Sequence, residues 1–524
     1  MSPFQPILLA IAIAALVVTL TALARRLPIP SPILQVLAGL ALGFIPGLRV
    51  PDLEPDLVFF VFLPPILWAA AFFTSVRDFR RELRPIGFLA VGLVFVTTAV
   101  VALVSHALFP ALPWAVAVAI GAIVSPPDAV AAAAVVSRLP VPRRVVVILE
   151  GESLMNDAAA LVIYRTAVAA AVTGVFSLGE AIVRFFIDAG VGAFIGVVVG
   201  WMIVRAARWT KDALAETLLT IAAPYLAWVL AESIHVSAVL ACVAGGVYVR
   251  QHFSTAISPM SRLQSRAVWD LIVFIINALI FLILGIEFSH VMHEVPAGTL
   301  GNVLRAGVVI SVVAIVVRLL WVPVATYLPR ALSAETRRRE PEPNPKGVAL
   351  VSWTGMRGIV SLASALALPV ALSSGAKFPY RAEIILITMS VIMITLVLQG
   401  VTLTPLIRWF NFAPDTAHHD EERHARREAL RRGAETLEDL SREPWAVAEE
   451  VGRIRSELRD RIGHHDHHTR DADTNRRLRT AVIRAERRML VRLRNEGAIS
   501  DETLRELEEE LDHEAVRVGV GNLR

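Results

Sequence analysis

Long apolar runs divide most of the chain, and they constrain its fold more than any other feature. A helix needs roughly 20 apolar residues to cross about 30 Å of hydrocarbon, and a spanning segment must satisfy its own backbone hydrogen bonds. The runs therefore predict an all-α polytopic membrane protein with about 13 transmembrane helices. The predicted spans lie near 5–24, 33–46, 56–73, 85–108, 114–136, 145–173, 181–204, 213–231, 236–249, 267–289, 301–328, 347–372 and 382–411.

Composition supports a membrane protein and excludes other classes. Of the 524 residues, 55% are hydrophobic and 19% are charged, whereas soluble domains average about 45–50% and about 25%. A soluble enzyme, a nucleic-acid-binding protein and a disordered scaffold are poor fits to the whole chain. The charged residues are concentrated after Phe412, so we expect a transmembrane domain at 1–411 and a polar, helical tail at 412–524.

The basic residues of the loops predict the orientation. Alternate loops carry 20 Lys and Arg residues on one side and 3 on the other. Because cytoplasmic loops are enriched in Lys and Arg, we expect an outside N-terminus and a cytoplasmic tail. We expect a multi-pass protein of the bacterial cytoplasmic (inner) membrane, embedded in the lipid bilayer.

The sixth span holds the densest set of polar residues. Ser153 precedes Asp157 by four residues, and Glu152 precedes Asn156 by four, so each pair shares a helix face. Ionisable groups at bilayer depth cost at least about 2.5–3.5 kcal/mol on insertion scales and are functional candidates. We expect Glu150 to lie in water at the cytoplasmic end of the span, and we expect Asp157 to have a functional role.

Two other spans carry features that interrupt a helix. Span 5 contains Pro126 and Pro127 before Asp128, and proline removes a backbone donor and breaks a helix. Span 12 carries Arg357 inside a Gly-Met-Arg-Gly string, and we expect Glu152 to be its ion-pair partner, with snorkelling to the interface as the alternative. Spans 1–6 and 8–13 would have opposite orientations, which predicts an inverted repeat with discontinuous helices at spans 5 and 12.

Carboxylates, a hydroxyl and backbone carbonyls form an oxygen-rich site that suits Na⁺, K⁺ or Li⁺ and also H⁺. Burial disfavours the charged form of a carboxyl group, so a proton and a cation would compete for Asp157. One carboxylate that exchanges one proton for one monovalent cation is electroneutral. Asn156 is consistent with this stoichiometry, because a second Asp there could carry a second proton.

These residues resemble the signature helices of the sodium/proton exchanger family, in its bacterial branch related to NhaP and the animal NHE proteins. The resemblance covers about residues 1–411. The motifs that carry it are Ser125-Pro-Pro-Asp128-Ala-Val, Gly151-Glu-Ser-Leu-Met-Asn156-Asp157-Ala and Gly355-Met-Arg357-Gly358.

The resemblance implies monovalent cation/proton antiport, with Asp157 as the carrier of ion and proton and with Asp128 and Ser153 in the site. It implies two crossing helices at the breaks, a Glu152–Arg357 pair and a homodimer. Its core spans would be about 85–173 and 301–411, and its dimerisation spans about 5–73 and 181–289. Many relatives have Thr-Asp-Pro or Val-Asp-Pro at the first break, whereas Pro127 stands before Asp128 here, so its backbone carbonyl is the candidate ligand.

Several alternatives remain open at this point. A K⁺-selective antiporter regulated by the tail, a cation channel and a membrane-embedded hydrolase fit less of the pattern, and we expect a transporter that is not an enzyme and has no cofactor. The expected partners are Na⁺ or K⁺, H⁺ and a second copy of the chain, with no nucleic acid. The tail histidines could sense pH or bind a metal, or belong to a solvated loop: His464, His465, His467 and His468.

Overall fold

The computed structural model consists of helices and short connections, with one isolated antiparallel bridge between Ala371 and Lys377. It describes residues 5–24, 26–27, 30–45, 55–128, 132–133, 136, 139–174, 178–210, 212–256, 259–339, 342–373, 375–412, 416–463, 470–496, 503–504, 507 and 510–511. The principal helices are α1 (Gln5–Ala24), α2 (Ser31–Gly43), α3 (Pro55–Phe73), α4 (Val76–Arg81), α5 (Leu83–Leu108), α6 (Trp114–Val124), α7 (Arg143–Thr173), α8 (Leu178–Thr210), α9 (Ala213–Ser233), α10 (Ala238–Ala256), α11 (Pro259–Glu294), α12 (Ala297–Leu332), α13 (Ala334–Arg339), α14 (Pro345–Trp353), α15 (Ile359–Leu366), α16 (Arg381–Phe410), α17 (Thr416–Leu440), α18 (Ala448–Gly463) and α19 (Arg470–Asn495).

The chain divides into two compact units, Met1–Pro414 and Asp415–Arg524. The second unit contains the polar helices α17 to α19. Its α17 and α18 are joined by an ion pair between Arg455 and Glu438 at 2.8 Å. The four histidines of the predicted tail cluster (464, 465, 467 and 468) lie outside the described residues.

Six helices in the described part of the chain are long and apolar enough to cross a membrane: α5, most of α8, α9, most of α11, α12 and α16. Shorter apolar helices lie within α1, α2 and α3, and α6 is another. The first unit is therefore an all-helical membrane architecture, as the apolar runs predict. The count of 13 spans stays a prediction.

Small residues allow the membrane helices to approach closely. Gly192 and Gly196 of α8 face Ser237, which directly precedes α10, and Ala241 of α10, where an added Cβ would overlap the backbone. Helices α2 and α11 meet in the same way at Gly285. In lipid, close packing replaces the hydrophobic drive between helices, so these contacts build a compact scaffold.

Helical structure stops at two places inside the predicted spans 5 and 12. Helix α6 ends at Val124, and the non-helical residues 125–128 follow it. Helix α14 ends at Trp353, the non-helical residues 354–358 follow, and α15 then begins at Ile359. The continuous helices α7, α12 and α16 pack around these interruptions and carry the remaining residues of the site.

Candidate functional site

The first interruption follows from its two prolines. Pro126 and Pro127 have no N–H, so the carbonyls of Ala122 and Ile123 lose their helical donors. The Ser125 hydroxyl donates to the Ala122 carbonyl at 3.1 Å and so replaces one of the two lost donors. The next carbonyl, that of Val124, accepts from Nε of Arg357 at 3.1 Å. The first break is therefore stabilised by a side chain from the second.

The second interruption touches the first directly. In a continuous helix the Asp128 N–H would bond to Val124, but here it donates to the Met356 carbonyl at 2.7 Å. The Arg357 N–H donates to the Thr395 hydroxyl of α16 at 3.2 Å, and its guanidinium also donates to the Gly355 carbonyl. The two breaks thus exchange backbone and side-chain bonds in a buried region.

Gly358 is required by this contact. A Cβ at Gly358 would overlap the Asp128 carboxylate. A hydrogen atom is all that fits between the second break and that carboxylate. The glycine therefore decides how closely the two interrupted helices approach.

Arg318 closes the other side of the second break. It lies on α12, and its Nε donates to the Val351 carbonyl at 3.1 Å. A continuous helix would have supplied the Gly355 N–H to that carbonyl. The two terminal nitrogens of Arg318 hold both carboxylate oxygens of Glu152, one of them at 2.8 Å. Both side chains are 1% exposed, so this is a buried bidentate ion pair.

The predicted direct pair between Glu152 and Arg357 is therefore wrong, because Glu152 bonds to Arg318. Arg357 is close enough for its charge to interact with both residues, but its donors are used on backbone carbonyls at the two breaks. Sequence reasoning missed Arg318 although the signal was present. It is a lone charge in the apolar run Ile315-Val-Val-Arg-Leu-Leu-Trp321, which carries the same cost at membrane depth as Arg357.

The carboxylates of the site come from α7 and from the first break. Asp157 is buried, and its charge interacts with that of Asp128. The Asn156 amide donates to the Pro127 carbonyl at 3.0 Å, while the Asn156 Oδ1 atom accepts no hydrogen bond in the described part of the chain. The structure thus groups Asp157, Asp128, Asn156 and Pro127. Ser153 lies half-buried one turn before Asp157.

This arrangement provides hard oxygen donors: two carboxylates, an amide oxygen and a backbone carbonyl. Such donors suit monovalent and other hard cations and also accept protons. Among the described residues, no group of three or more His, Cys, Asp or Glu side chains is placed to hold a metal ion. The chemistry favours reversible binding of small cations and protons.

A cavity of about 1220 Å³ opens beyond this site, at the C-terminal half of α7. The second half of α7 lines it on more than one face, and Leu161, Tyr164, Arg165 and Val168 are among the lining residues. Asp157 precedes Leu161 by four residues and lies on the same face, about 6 Å along the helix axis. The cavity therefore ends one helical turn from the carboxylate.

An ion pair joins two walls of this cavity. Arg165 of α7 contacts Glu232 of α9 at 3.1 Å, and the side chains are 47% and 45% exposed. Both residues line the cavity. The helix that carries Asp157 is thereby linked to a helix outside the interrupted pair.

The chain is similar to known cation exchangers along most of its length. The family model for the transmembrane part of sodium/hydrogen exchangers matches residues 11–409. An uncharacterised Na⁺/H⁺ exchanger of Mycobacterium tuberculosis is 33% identical over 97% of this chain and 95% of its own. A sodium, potassium, lithium and rubidium/H⁺ antiporter of Bacillus subtilis is also 33% identical, over 92% of this chain and 73% of its own.

Solved structures agree with this assignment at the level of the fold. The sodium proton antiporter MjNhaP1 of Methanocaldococcus jannaschii superposes with a TM-score of 0.60 at 20% identity. The match covers 76% of this chain and all of that one. Together, the interrupted helices, the buried carboxylates and these similarities show that the chain is a membrane protein of the sodium/hydrogen exchanger family.

Proposed function

We propose that the protein is a secondary active transporter that exchanges a monovalent cation for H⁺ by alternating access. Na⁺ is the first candidate, with K⁺ and Li⁺ as alternatives, and the role is intracellular pH and cation homeostasis. One observation carries the proposal: Asp157 is buried on α7, next to Asn156, which bonds the Pro127 carbonyl at the first break. At the same place the Asp128 N–H donates to the Met356 carbonyl of the second break. In membranes, broken helices with a carboxylate at the break are typical of ion sites in secondary transporters.

Asp157 is the residue that binds cation and proton in turn. Asp128, the Asn156 Oδ1 atom, the Pro127 carbonyl and the Ser153 hydroxyl complete the oxygen set. A cation must lose its water to enter this buried site, and the two carboxylates supply the charge that compensates it. Because Asn156 is neutral, we propose an exchange of one proton for one cation, which is electroneutral.

The Glu152–Arg318 pair and Arg357 hold the two breaks and the surrounding helices in place. Arg318 satisfies both oxygens of Glu152, so this carboxylate is committed to structure. Arg357 holds carbonyls at both breaks. The proton and the cation are thereby directed to Asp157.

The cavity beyond α7 is the proposed path from the external side. By the distribution of loop charges, the N-terminal end of α7 is cytoplasmic and its C-terminal half is external. The Arg165–Glu232 pair crosses this path and must rearrange if α7 moves relative to α9. Neutralising Glu232 as Gln is expected to change the apparent affinity for the external cation by about two- to fivefold, because the pair is half-exposed and weak.

The wider architecture is proposed from the resemblance to the sodium/proton exchangers. It comprises 13 spans in an inverted repeat, two crossing helices, a core of spans 85–173 and 301–411, and a dimerisation part of spans 5–73 and 181–289. The protein is proposed as a homodimer of the bacterial inner membrane, with an outside N-terminus. The unit after Pro414 is proposed as a cytoplasmic regulatory tail.

Inverted vesicles, acidified by respiration and followed with a pH-sensitive dye, test the function. Adding NaCl or KCl is expected to alkalinise the lumen, and Asp157→Asn is expected to abolish the response. Varying the membrane potential tests electroneutrality, since each net charge moved is worth about 2.3 kcal/mol per 100 mV. No response to either salt between about pH 6 and 9 would overturn the proposal.

K⁺/H⁺ exchange is the second candidate. The Bacillus subtilis relative is named for sodium, potassium, lithium and rubidium, which motivates a separate KCl arm in the same assay. A cation channel would instead let the added cation enter down the membrane potential without moving protons out in exchange. Obligatory coupling of cation and proton flux distinguishes the antiporter from it.

A further inference from the structure

The buried face of α16 carries an amide that the site described above does not use. Gln399 is 1% exposed, and neither its Oε1 nor its Nε2 atom has a hydrogen-bond partner among the described residues. Buried polar groups in proteins are nearly always bonded to protein or to ordered water. Each unsatisfied group costs about 1–3 kcal/mol, so this amide requires a partner.

The neighbours of Gln399 on α16 show what it faces. Thr395 and Thr402 lie four residues before and three after it, which places all three on one helix face. Thr395 accepts the Arg357 N–H at 3.2 Å, and Thr402 accepts the Trp353 Nε1–H at 3.0 Å. Gln399 therefore lies against the unwound segment between Trp353 and Arg357.

That segment has unsatisfied backbone donors of its own. Residues 354–358 are buried, and the Thr354 N–H is satisfied by Leu350 at 3.0 Å. The carbonyl that Gly355 would reach in a continuous helix, that of Val351, is taken by Arg318. Within the described residues, no hydrogen bond is formed by the N–H of Gly355 or of Met356. Such donors need a partner as much as a side chain does.

We propose that Gln399 holds ordered water against residues 354–356, in a buried site separate from the Asp157–Asp128 pair. Water can bridge the amide to the N–H groups of Gly355 and Met356, and buried water typically makes 2–4 such bonds. A cation is disfavoured there because Arg357 is next to the segment. Gln399 is thus a positioning residue that keeps the second break open and correctly shaped.

The water site itself does not depend on the proposed transport function. Only its expected effect on exchange rests on that function. If the bridging water is lost, the N–H groups of Gly355 and Met356 have no partner, and the unwound segment shifts. The Met356 carbonyl, which accepts the Asp128 N–H, would shift with it. We therefore expect a reduced maximum exchange rate with little change in cation affinity.

X-ray radiolysis of the whole protein tests the water site without measuring transport. Radicals generated from bound water oxidise nearby side chains, and Met356 is 1% exposed. Met389 of α16 is the internal control, because it is 0% exposed and lies on another side of the helix. If water is held at the break, Met356 is expected to be oxidised about fivefold faster than Met389. Equal, slow oxidation of the two methionines overturns the proposal.

A pair of matched variants completes the test. Gln399→Leu is expected to slow Met356 oxidation to about the rate of Met389 and to lower the maximum exchange rate about tenfold, because the apolar side chain cannot bind water. Gln35→Leu removes another buried glutamine, on α2, and is expected to leave Met356 oxidation unchanged. Fast Met356 oxidation in a folded Gln399→Leu protein would show that Gln399 does not hold the water. Exchange that fails in the wild type while Met356 is oxidised would reject the transport function alone.

Discussion

The two interrupted helices are broken by different chemistry. The first break contains Pro126 and Pro127, which remove backbone donors wherever they are placed. The second contains no proline within residues 354–358, and glycines flank its arginine instead. Gly355 and Gly358 permit an unwound backbone but do not impose one. The first break is therefore a local property of the chain, whereas the second depends on contacts from α12, α16 and the first break.

The same side-chain type repairs both breaks. The carbonyl of Val124 is taken by Arg357, and that of Val351 by Arg318. A guanidinium has five N–H donors, so each arginine can bind a carbonyl and a second group together. For Arg318 the second group is a carboxylate, and for Arg357 it is another carbonyl. This difference predicts unequal costs when each arginine is removed.

Removing Arg318 is expected to have the largest effect on stability. Arg318→Met leaves Glu152 buried without its ion-pair partner, which typically costs about 3–5 kcal/mol. The measurement is the thermal unfolding temperature of the purified protein in detergent. Arg357→Met is expected to destabilise the protein less, because no carboxylate loses its hydrogen bonds.

A double-mutant cycle provides the control. Combining Glu152→Leu with Arg318→Met removes both charges, and most of the lost stability is expected to return. The combination of Glu152→Leu with Arg357→Met is expected to show a much smaller coupling energy. A coupling larger for Arg357 than for Arg318 would restore the pair predicted from the sequence.

Gly358→Ala is expected to have the next largest effect, because its Cβ would overlap the Asp128 carboxylate. Overpacking of this kind costs about 1–3 kcal/mol, and we expect cation/proton exchange in vesicles to fall at least about tenfold. Gly298→Ala is the matched control, since a Cβ there has no neighbouring atom within 4 Å. Unchanged exchange in Gly358→Ala would show that the breaks need not approach so closely.

Thr395→Val tests the support that the second break receives from α16. The substitution leaves the buried Arg357 N–H without its acceptor, at a cost of about 1–3 kcal/mol. Thr326→Val of α12 is the control, because its hydroxyl donates to the carbonyl four residues earlier at 2.8 Å and holds no break. The measurement is the thermal unfolding temperature of both variants. Equal, small decreases in the two would mean that the Thr395 hydroxyl does not stabilise the second break.

Ser125→Ala is expected to have the smallest effect. Its hydroxyl supplies the Ala122 carbonyl with a donor at 3.1 Å, and a typical hydrogen bond contributes about 0.5–1.5 kcal/mol. Because the prolines open this break without help, we expect exchange to persist and the thermal unfolding temperature to fall only slightly. A loss of exchange as severe as that of Gly358→Ala would contradict the contrast between the two breaks.

Much of the candidate site could be predicted from neighbouring residues in the sequence. Asp157, Asn156 and Glu152 lie within six positions of one another, and helical spacing is enough to group them. Pro127 and Asp128 mark the first break, and the Asn156–Pro127 bond brings it to α7. The partner of Glu152 could not be predicted in this way, because two buried arginines were available and their order in the chain does not say which one faces α7.

The sequence by itself determined the membrane class, the polar residues of α7 and the opening of the first break. Apolar length, helical spacing and the chemistry of proline act over a few residues and need no tertiary contact. The tertiary structure alone decided that Arg318 binds Glu152 across 166 residues and that Arg357 reaches Val124 across 233. Those choices depend on which helices pack side by side, because a buried charge or carbonyl takes whichever donor the packing places next to it.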